Sequence, residues 1–169
     1  WDLRSLKDQL CLVAVGGYGR SELFPYSDVD ILVLTNNKLT KNETENISGF
    51  IADCWDIGLK IGHSVRNIEE AREEFHKDVT TATNLLENRY VIGSQLIFKK
   101  LLKLIDEELS LDNFYIEKIK EQTKRHKKYR DSAYQLEPNI KESPGGLRDI
   151  QTVIWISSSQ KKGRSIEDL

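Results

Sequence analysis

Two aspartates, Asp28 and Asp30, open an apolar run that continues to Leu34. Residues i and i+2 of a strand point to the same face of a sheet, so these carboxylates are expected side by side. Neighbouring carboxylates repel each other unless a cation lies between them, and their hard oxygens suit Mg²⁺, which shares its shell with phosphates. Two such ions can activate an attacking oxygen and stabilise a leaving pyrophosphate. The alternative is a solvated strand end, although aspartate is disfavoured in strands.

A glycine pair, Gly16-Gly17, follows an apolar run over residues 11–15. Without side chains, glycines let backbone N–H groups approach a phosphate closely. A helix that begins directly after the pair would add its N-terminal amides to an anion site. Arg20 lies one turn further on and could reach phosphate oxygens. The order of these features predicts a triphosphate- and metal-binding site over residues 16–34, whereas the simpler alternative for the glycines is a tight turn.

Hydrophobic periodicity predicts the elements that position these residues. The predicted strands cover residues 11–15, 29–34 and 59–66. The predicted helices cover residues 18–23, 45–55, 81–104 with a break near Gly93, 111–136 and 147–158. Asn67 and Glu70 resemble a capping box that starts a further helix. We therefore predict an α+β fold, with a small mixed sheet flanked by helices over residues 1–85 and a helical domain over residues 86–169.

The composition excludes some classes of protein. Hydrophobic residues make up 38% of the chain and charged residues 31%, and no apolar run approaches the length that spans a bilayer. No cationic leader precedes an apolar run, so we expect a cytoplasmic protein. The net charge of −2 gives no general attraction to nucleic acid. The basic run over residues 124–130 could bind RNA, contact phosphates or a protein, or form a solvated helix face.

Residues 16–34, with the sequence GGYGRSELFPYSDVDILVL, combine a glycine pair, a short helix and an Asp-x-Asp pair that opens a strand. This order resembles the DNA polymerase β-like nucleotidyltransferase superfamily. More narrowly, the segment is similar to the family of uridylyltransferases that modify the nitrogen-regulatory protein PII. Residues 55–66 and 138–155 agree with that family, and the resemblance spans nearly the whole chain.

The resemblance implies metal-dependent transfer of UMP from UTP to a tyrosine hydroxyl of PII, with release of pyrophosphate. Asp28 and Asp30 match the catalytic, metal-binding pair of the family, and the glycine pair matches its phosphate loop. Arg20 and Ser27 lie where superfamily members contact the triphosphate. Two Mg²⁺ ions, the substrate UTP and the partner PII are therefore expected, without a membrane or nucleic acid.

Several further residues have two interpretations each. Asp56 would supply a third metal ligand if the third strand extended that far, and it is otherwise a helix-end aspartate. Lys60 stands where some relatives have an acid. His63 and Arg66 are candidate phosphate or substrate contacts, although an isolated strand histidine is often structural. Arg148 lies in a glycine-rich segment that either lines a cleft or connects two helices, in which case Arg148 would pair locally with its neighbour.

Complete members of the family also carry a hydrolytic HD domain that removes UMP and two ACT domains that sense glutamine. This sequence contains neither, so we expect neither UMP removal nor direct glutamine sensing. Two alternatives to protein uridylylation stay open. One is a nucleotidyltransferase that acts on RNA or a small-molecule hydroxyl, which the basic run supports. The other is a non-catalytic nucleotide-sensing module, which Lys60 supports.

Overall fold

The computed structural model describes residues 9–129 and 139–160, which fall into two compact units that meet at the Glu108–Leu109 bond. The elements of the first unit are β1 (Leu10–Ala14), α1 (Gly16–Gly19), β2 (Val29–Thr35), α2 (Lys41–Asp56), β3 (Ile61–Asn67), α3 (Ile68–Lys77), α4 (Val79–Leu86), β4 (Arg89–Gly93) and α5 (Gln95–Glu108). The second unit contains α6 (Leu111–Lys128) and α7 (Leu147–Ser159). The predicted α+β class is confirmed.

The four strands form one mixed sheet in the order β3-β2-β1-β4. Strand β1 is antiparallel to both of its neighbours, whereas β2 and β3 run parallel. Strand β4 corrects the sequence analysis, which assigned a helical pattern to residues 81–104. Tyr90, Val91 and Ile92 favour strands, and their partners in β1 are too distant in sequence for a local pattern to reveal. Because β4 and α5 belong with the sheet, the domain boundary predicted after residue 85 lies too early.

Alternation of side chains along the strands gives the sheet two buried faces. On one face, Ile31 of β2 lies in a cluster with Ile51 of α2. On the other face, Leu32 is almost fully buried, and α3 and α5 pack against the strands on that side. Asp30 has the same parity as Leu32 and therefore lies on the face opposite α2. Asp28 precedes the first residue of β2, Val29, and lines a different cavity together with Trp55 of α2.

Side-chain caps set where two of the helices begin. Thr40 accepts a hydrogen bond from the Glu43 amide, and the Glu43 carboxylate accepts one from the Thr40 amide. Asn67 and Glu70 form the same reciprocal capping box at the start of α3, which confirms the capping box predicted there. Each cap contributes on the order of 1 kcal/mol. The second cap also ends β3 one residue after Arg66.

The second unit rests on side-chain contacts between α6 and α7. The side chain of Lys118 is 2% exposed, pairs with Glu121 and places its ammonium 4.1 Å from the ring centroid of Trp155. A cation over an aromatic face is attracted by the ring electrons, which offsets part of the cost of burying the charge. Helix α6 ends at Lys128, and the rest of the helix predicted over 111–136 lies mostly outside the described residues. In the part of the chain that the structure describes, no helix is long and apolar enough to cross a membrane.

Candidate active site

The glycine turn after β1 lies directly beside the start of β2. The Val15 amide donates to the carbonyl of Asp30 at 3.0 Å, which joins the turn to the strand. Gly16 is buried and has φ +57°, a left-handed conformation that glycine adopts without strain. The helix predicted over residues 18–23 is instead the single turn α1, and the chain leaves it at Ser21, where φ is 64°.

The carboxylate of Asp30 lies between two glycines. A Cβ placed on Gly62 would lie 2.3 Å from Asp30 Oδ1, and a Cβ placed on Gly16 would lie 3.3 Å from Asp30 Oδ2. Gly62 is the register partner of Asp30 in the parallel pair of β2 and β3. The sequence analysis missed this role of Gly62, although a glycine inside a strand is a recognised sign of close approach.

A cavity of about 300 Å³ opens beside Asp30. Ser64 and Arg66 of β3 line it, together with Thr81 and Asn84 of α4. The Arg66 side chain is 26% exposed and makes a long ion pair with Glu74, at 3.7 Å. The structure brings Arg66 to the same cavity as Asp30, and its contact with a phosphate or substrate stays a prediction. The sequence analysis missed the two residues of α4.

Arg20 and Ser27 have partners within the fold. The Arg20 guanidinium pairs with Glu22 at 2.7 Å and with the buried carboxylate of Glu87. Burial alone would lower the pKa of Arg20, but the hydrogen bonds and charges of Glu22 and Glu87 outweigh it and raise the pKa. The Ser27 hydroxyl accepts a hydrogen bond from the Phe24 amide in an exposed turn. The structure thus assigns structural contacts to both side chains, and their predicted contacts to a triphosphate stay predictions.

Asp56 and His63 both lie next to or within α2. Asp56 is the last residue of α2, and β3 begins only at Ile61, so the condition for Asp56 as a third ligand is not met. The ring of His63 lies 5.8 Å from that of Trp55 in α2. His63 is also among the residues that line the cavity beside Asp30. A phosphate or substrate contact of His63 stays a prediction.

The carboxylate of Asp30 offers hard oxygen donors of the kind that suit Mg²⁺, and glycines rather than side chains lie next to it. Among the described residues, no group of three or more His, Cys, Asp or Glu side chains could hold a metal ion. Lys60 stands where a third acid was considered; its carbonyl accepts a hydrogen bond from the Val29 amide at 2.8 Å, and it lines a cavity with Asp28. Binding of Mg²⁺ by Asp28 and Asp30 stays a prediction.

In the second unit, the carboxylate of Asp149 collects four donors. Arg125 Nη2 lies 2.6 Å from Oδ1, Gln122 donates at 3.0 Å, His126 Nε2 lies at 2.9 Å and the Gly145 amide donates to Oδ2 at 2.7 Å. Burial alone would raise the pKa of Asp149, but these hydrogen bonds outweigh it and hold the pKa well below its usual range. The cluster fixes the glycine-rich loop to α6. His126, which belongs to the basic run over residues 124–130, is therefore engaged within the fold.

Arg148 does not pair with its neighbour in sequence. Its Nη2 lies 3.3 Å from Glu142 Oε1, and its guanidinium lies 5.3 Å from the ring centroid of Trp155. The local ion pair considered for Arg148 is thus replaced by contacts across the loop. A substrate contact of Arg148 stays a prediction.

The mixed sheet, the glycine turn and the aspartate pair at the start of β2 define the α+β class of polymerase β-like nucleotidyltransferase domains. A family model described as GlnD PII-uridylyltransferase matches residues 113–169. The bifunctional uridylyltransferase/uridylyl-removing enzyme of Hydrogenovibrio crunogenus is 50% identical over 164 residues. Over nearly its whole length, the chain is similar to this bifunctional enzyme.

The match to these relatives covers most of this chain but a small part of each relative. It covers 96% of this chain and 18% of the Hydrogenovibrio enzyme. The enzyme of the same name from Pseudoalteromonas translucida is 47% identical over 162 residues, which are 95% of this chain and 19% of that protein. The chain thus spans about a fifth of the length of these relatives.

Among solved structures, a toxin-antitoxin crystal structure with AMP-PNP covers 76% of this chain and 90% of its own, with 17% identity. Its TM-score is 0.38, too low to add to the assignment of the fold.

Proposed function

We propose that this chain carries a nucleotidyl-transfer site that moves UMP from UTP to a tyrosine hydroxyl of PII and releases pyrophosphate. The observation that carries the proposal is the carboxylate of Asp30, which lies between Gly16 and Gly62 beside a polar cavity. The choice of UTP rests on the similarity to relatives whose names include uridylyl transfer. The choice of PII rests on the matching family model, whose description names that protein.

The charge of each site residue indicates the part of the substrate complex that it would bind. Asp28 and Asp30 are expected to hold Mg²⁺, as two ions in the working site, and the metal when bound would neutralise charge on the phosphates. Arg66, on the same strand face as Gly62, can pair with a phosphate oxygen. The glycine turn at Gly16 leaves room for a phosphate to approach the backbone. The tyrosine oxygen would form a bond to the α-phosphorus as the bond from that phosphorus to pyrophosphate breaks, and the hydroxyl proton would pass to water.

A second candidate is a module that binds UTP without transferring it. The observation that favours it is the lack of a third carboxylate near the aspartate pair in the described residues. Transfer to RNA is less well supported, because Arg125 and His126 of the basic run are engaged by Asp149. The side chain of Arg125 is only 9% exposed, so this run offers fewer cations to a phosphate backbone than its sequence suggests.

One experiment separates these functions. The chain is incubated with labelled UTP and Mg²⁺, with PII in one reaction and RNA in another. Transfer of label to PII alone is expected. Label on RNA would favour the second enzyme class, whereas UTP binding without metal-dependent labelling of either acceptor would favour the sensing module. The control is the same reaction with EDTA, in which transfer should stop.

A further inference from the structure

The wall of the cavity opposite β3 comes from α4, a helix whose other side is apolar. Ala82 and Leu85 are buried, whereas Thr81 and Asn84, which are neighbours on a helix at i and i+3, both line the cavity. Asn84 is exposed, and its side chain makes no hydrogen bond within the described part of the chain. Alanine forms helices better than asparagine. The fold of α4 by itself therefore does not explain an amide at this position.

The Asn84 amide lies close to the carboxylate of Asp30. A Cβ placed on Gly16 would lie 3.3 Å from Asp30 Oδ2 and 3.8 Å from Asn84 Oδ1. Both oxygens thus lie within 4 Å of the same point. In a nucleotide, the sugar is attached to the phosphate that undergoes transfer. A phosphate held at Asp30 would place the sugar next to α4.

The chemistry of the two residues fits a sugar better than a phosphate. An amide both donates and accepts hydrogen bonds, as a hydroxyl does, and Thr81 adds a second group of that kind. A triphosphate would instead be matched by a cation, and Arg66 supplies one in the same cavity.

We propose that Asn84, with Thr81 beside it, binds a ribose hydroxyl of the nucleotide, so that α4 selects ribonucleotides over deoxyribonucleotides. This assignment rests on the proposed function, because it requires a nucleotide at Asp30. It adds a specificity role to a helix that the family pattern over residues 16–34 does not include.

Nucleotide affinity tests the assignment directly. Equilibrium binding of UTP, 2′-deoxy-UTP and 3′-deoxy-UTP is measured by calorimetry with Mg²⁺ and without an acceptor protein. We expect the chain to bind UTP about tenfold more tightly than one of the deoxy analogues, the usual effect of one hydrogen bond. In Asn84→Ala, UTP affinity should fall to that of this analogue while the affinity for the analogue itself stays unchanged. Thr81→Val, which keeps the shape of the side chain, should reduce the same preference to a smaller extent.

Asn46→Ala is the matched control, because Asn46 is an exposed helical asparagine in α2, on the opposite face of the sheet. It should leave all three affinities unchanged. Equal affinities for the three nucleotides in the unmutated chain would contradict the ribose assignment and leave the proposed function standing. An equal loss for all three in Asn84→Ala would contradict it as well. If the unmutated chain bound no nucleotide, the proposed function and this assignment would both be wrong.

Discussion

The substitution Gly62→Ala tests whether the position of the Asp30 carboxylate matters for the chemistry. The new methyl group would lie 2.3 Å from Asp30 Oδ1. Contacts of Cβ atoms in proteins are essentially never shorter than 3.0 Å. To restore normal van der Waals separation, the carboxylate has to move by roughly 1 Å. The atom that gives way is the end of a side chain rather than the backbone of β2. We therefore expect the fold to survive, at a cost on the order of 1 kcal/mol for an off-rotamer side chain.

The effect on transfer should be much larger than the effect on stability. A displacement of about 1 Å in a reacting site can reduce the rate by about a hundredfold. Because a metal held by Asp28 and Asp30 would follow the moved carboxylate, we expect a loss of that size in UMP transfer. The assay compares the initial rate of labelling from UTP with the melting temperature of the same preparation.

Gly49→Ala provides the matched control. Gly49 lies in α2, and a Cβ there would meet nothing within 4 Å. It should raise stability by up to about 1 kcal/mol through helix propensity and leave transfer unchanged. If Gly62→Ala retained the unmutated rate with a normal melting temperature, the position of Asp30 would not limit the reaction. Our description of the site would then be wrong.

Three further predictions concern the charged groups around the two units. Asp149→Asn should lower the free energy of unfolding by about 2–4 kcal/mol in urea, because it removes the nearer of the two carboxylates that pair with the buried guanidinium of Arg125. The pKa of Asp149 is lower in the folded state than in the unfolded state. The stability that the Asp149 carboxylate contributes is therefore complete above the unfolded pKa of about 3.9 and is lost as pH falls through the folded pKa. Stability of the unmutated chain should therefore fall more steeply below about pH 4 than that of Asp149→Asn, and parallel curves would argue against this. Arg20→Ala should lower the free energy of unfolding by about 3 kcal/mol, because it removes the guanidinium that pairs with the buried carboxylate of Glu87. Adding Glu87→Gln should recover most of this loss in a double-mutant cycle, whereas purely additive effects would speak against a direct pair.

The sequence pattern predicted the parts of the fold that depend on local order. Asp30 lies in β2 as predicted, because β-branched and leucine residues follow it, and Asp28 directly precedes the strand, which begins at Val29. The cap at Asn67 was visible because its partner lies three residues away. These features need only the local chain, so one sequence is enough to predict them.

Features that depend on distant contacts could not be predicted in the same way. Strand β4 gains its hydrogen bonds from β1, far back in the chain, and its five residues gave no periodicity that excludes a helix. The pairing of Arg20 with Glu87 could not be predicted, because the two residues lie 67 positions apart in the chain. The contact between the rings of His63 and Trp55 could not be predicted either, because it depends on how α2 packs against β3.

Substitution of the aspartate pair tests the central claim most directly. Asp28→Ala and Asp30→Ala are each assayed for transfer of labelled UMP from UTP to PII in the presence of Mg²⁺, with circular dichroism as the check on folding. We predict that either substitution abolishes transfer while the secondary structure stays intact. Transfer at a rate close to that of the unmutated chain, in either variant, would contradict the catalytic role of the pair.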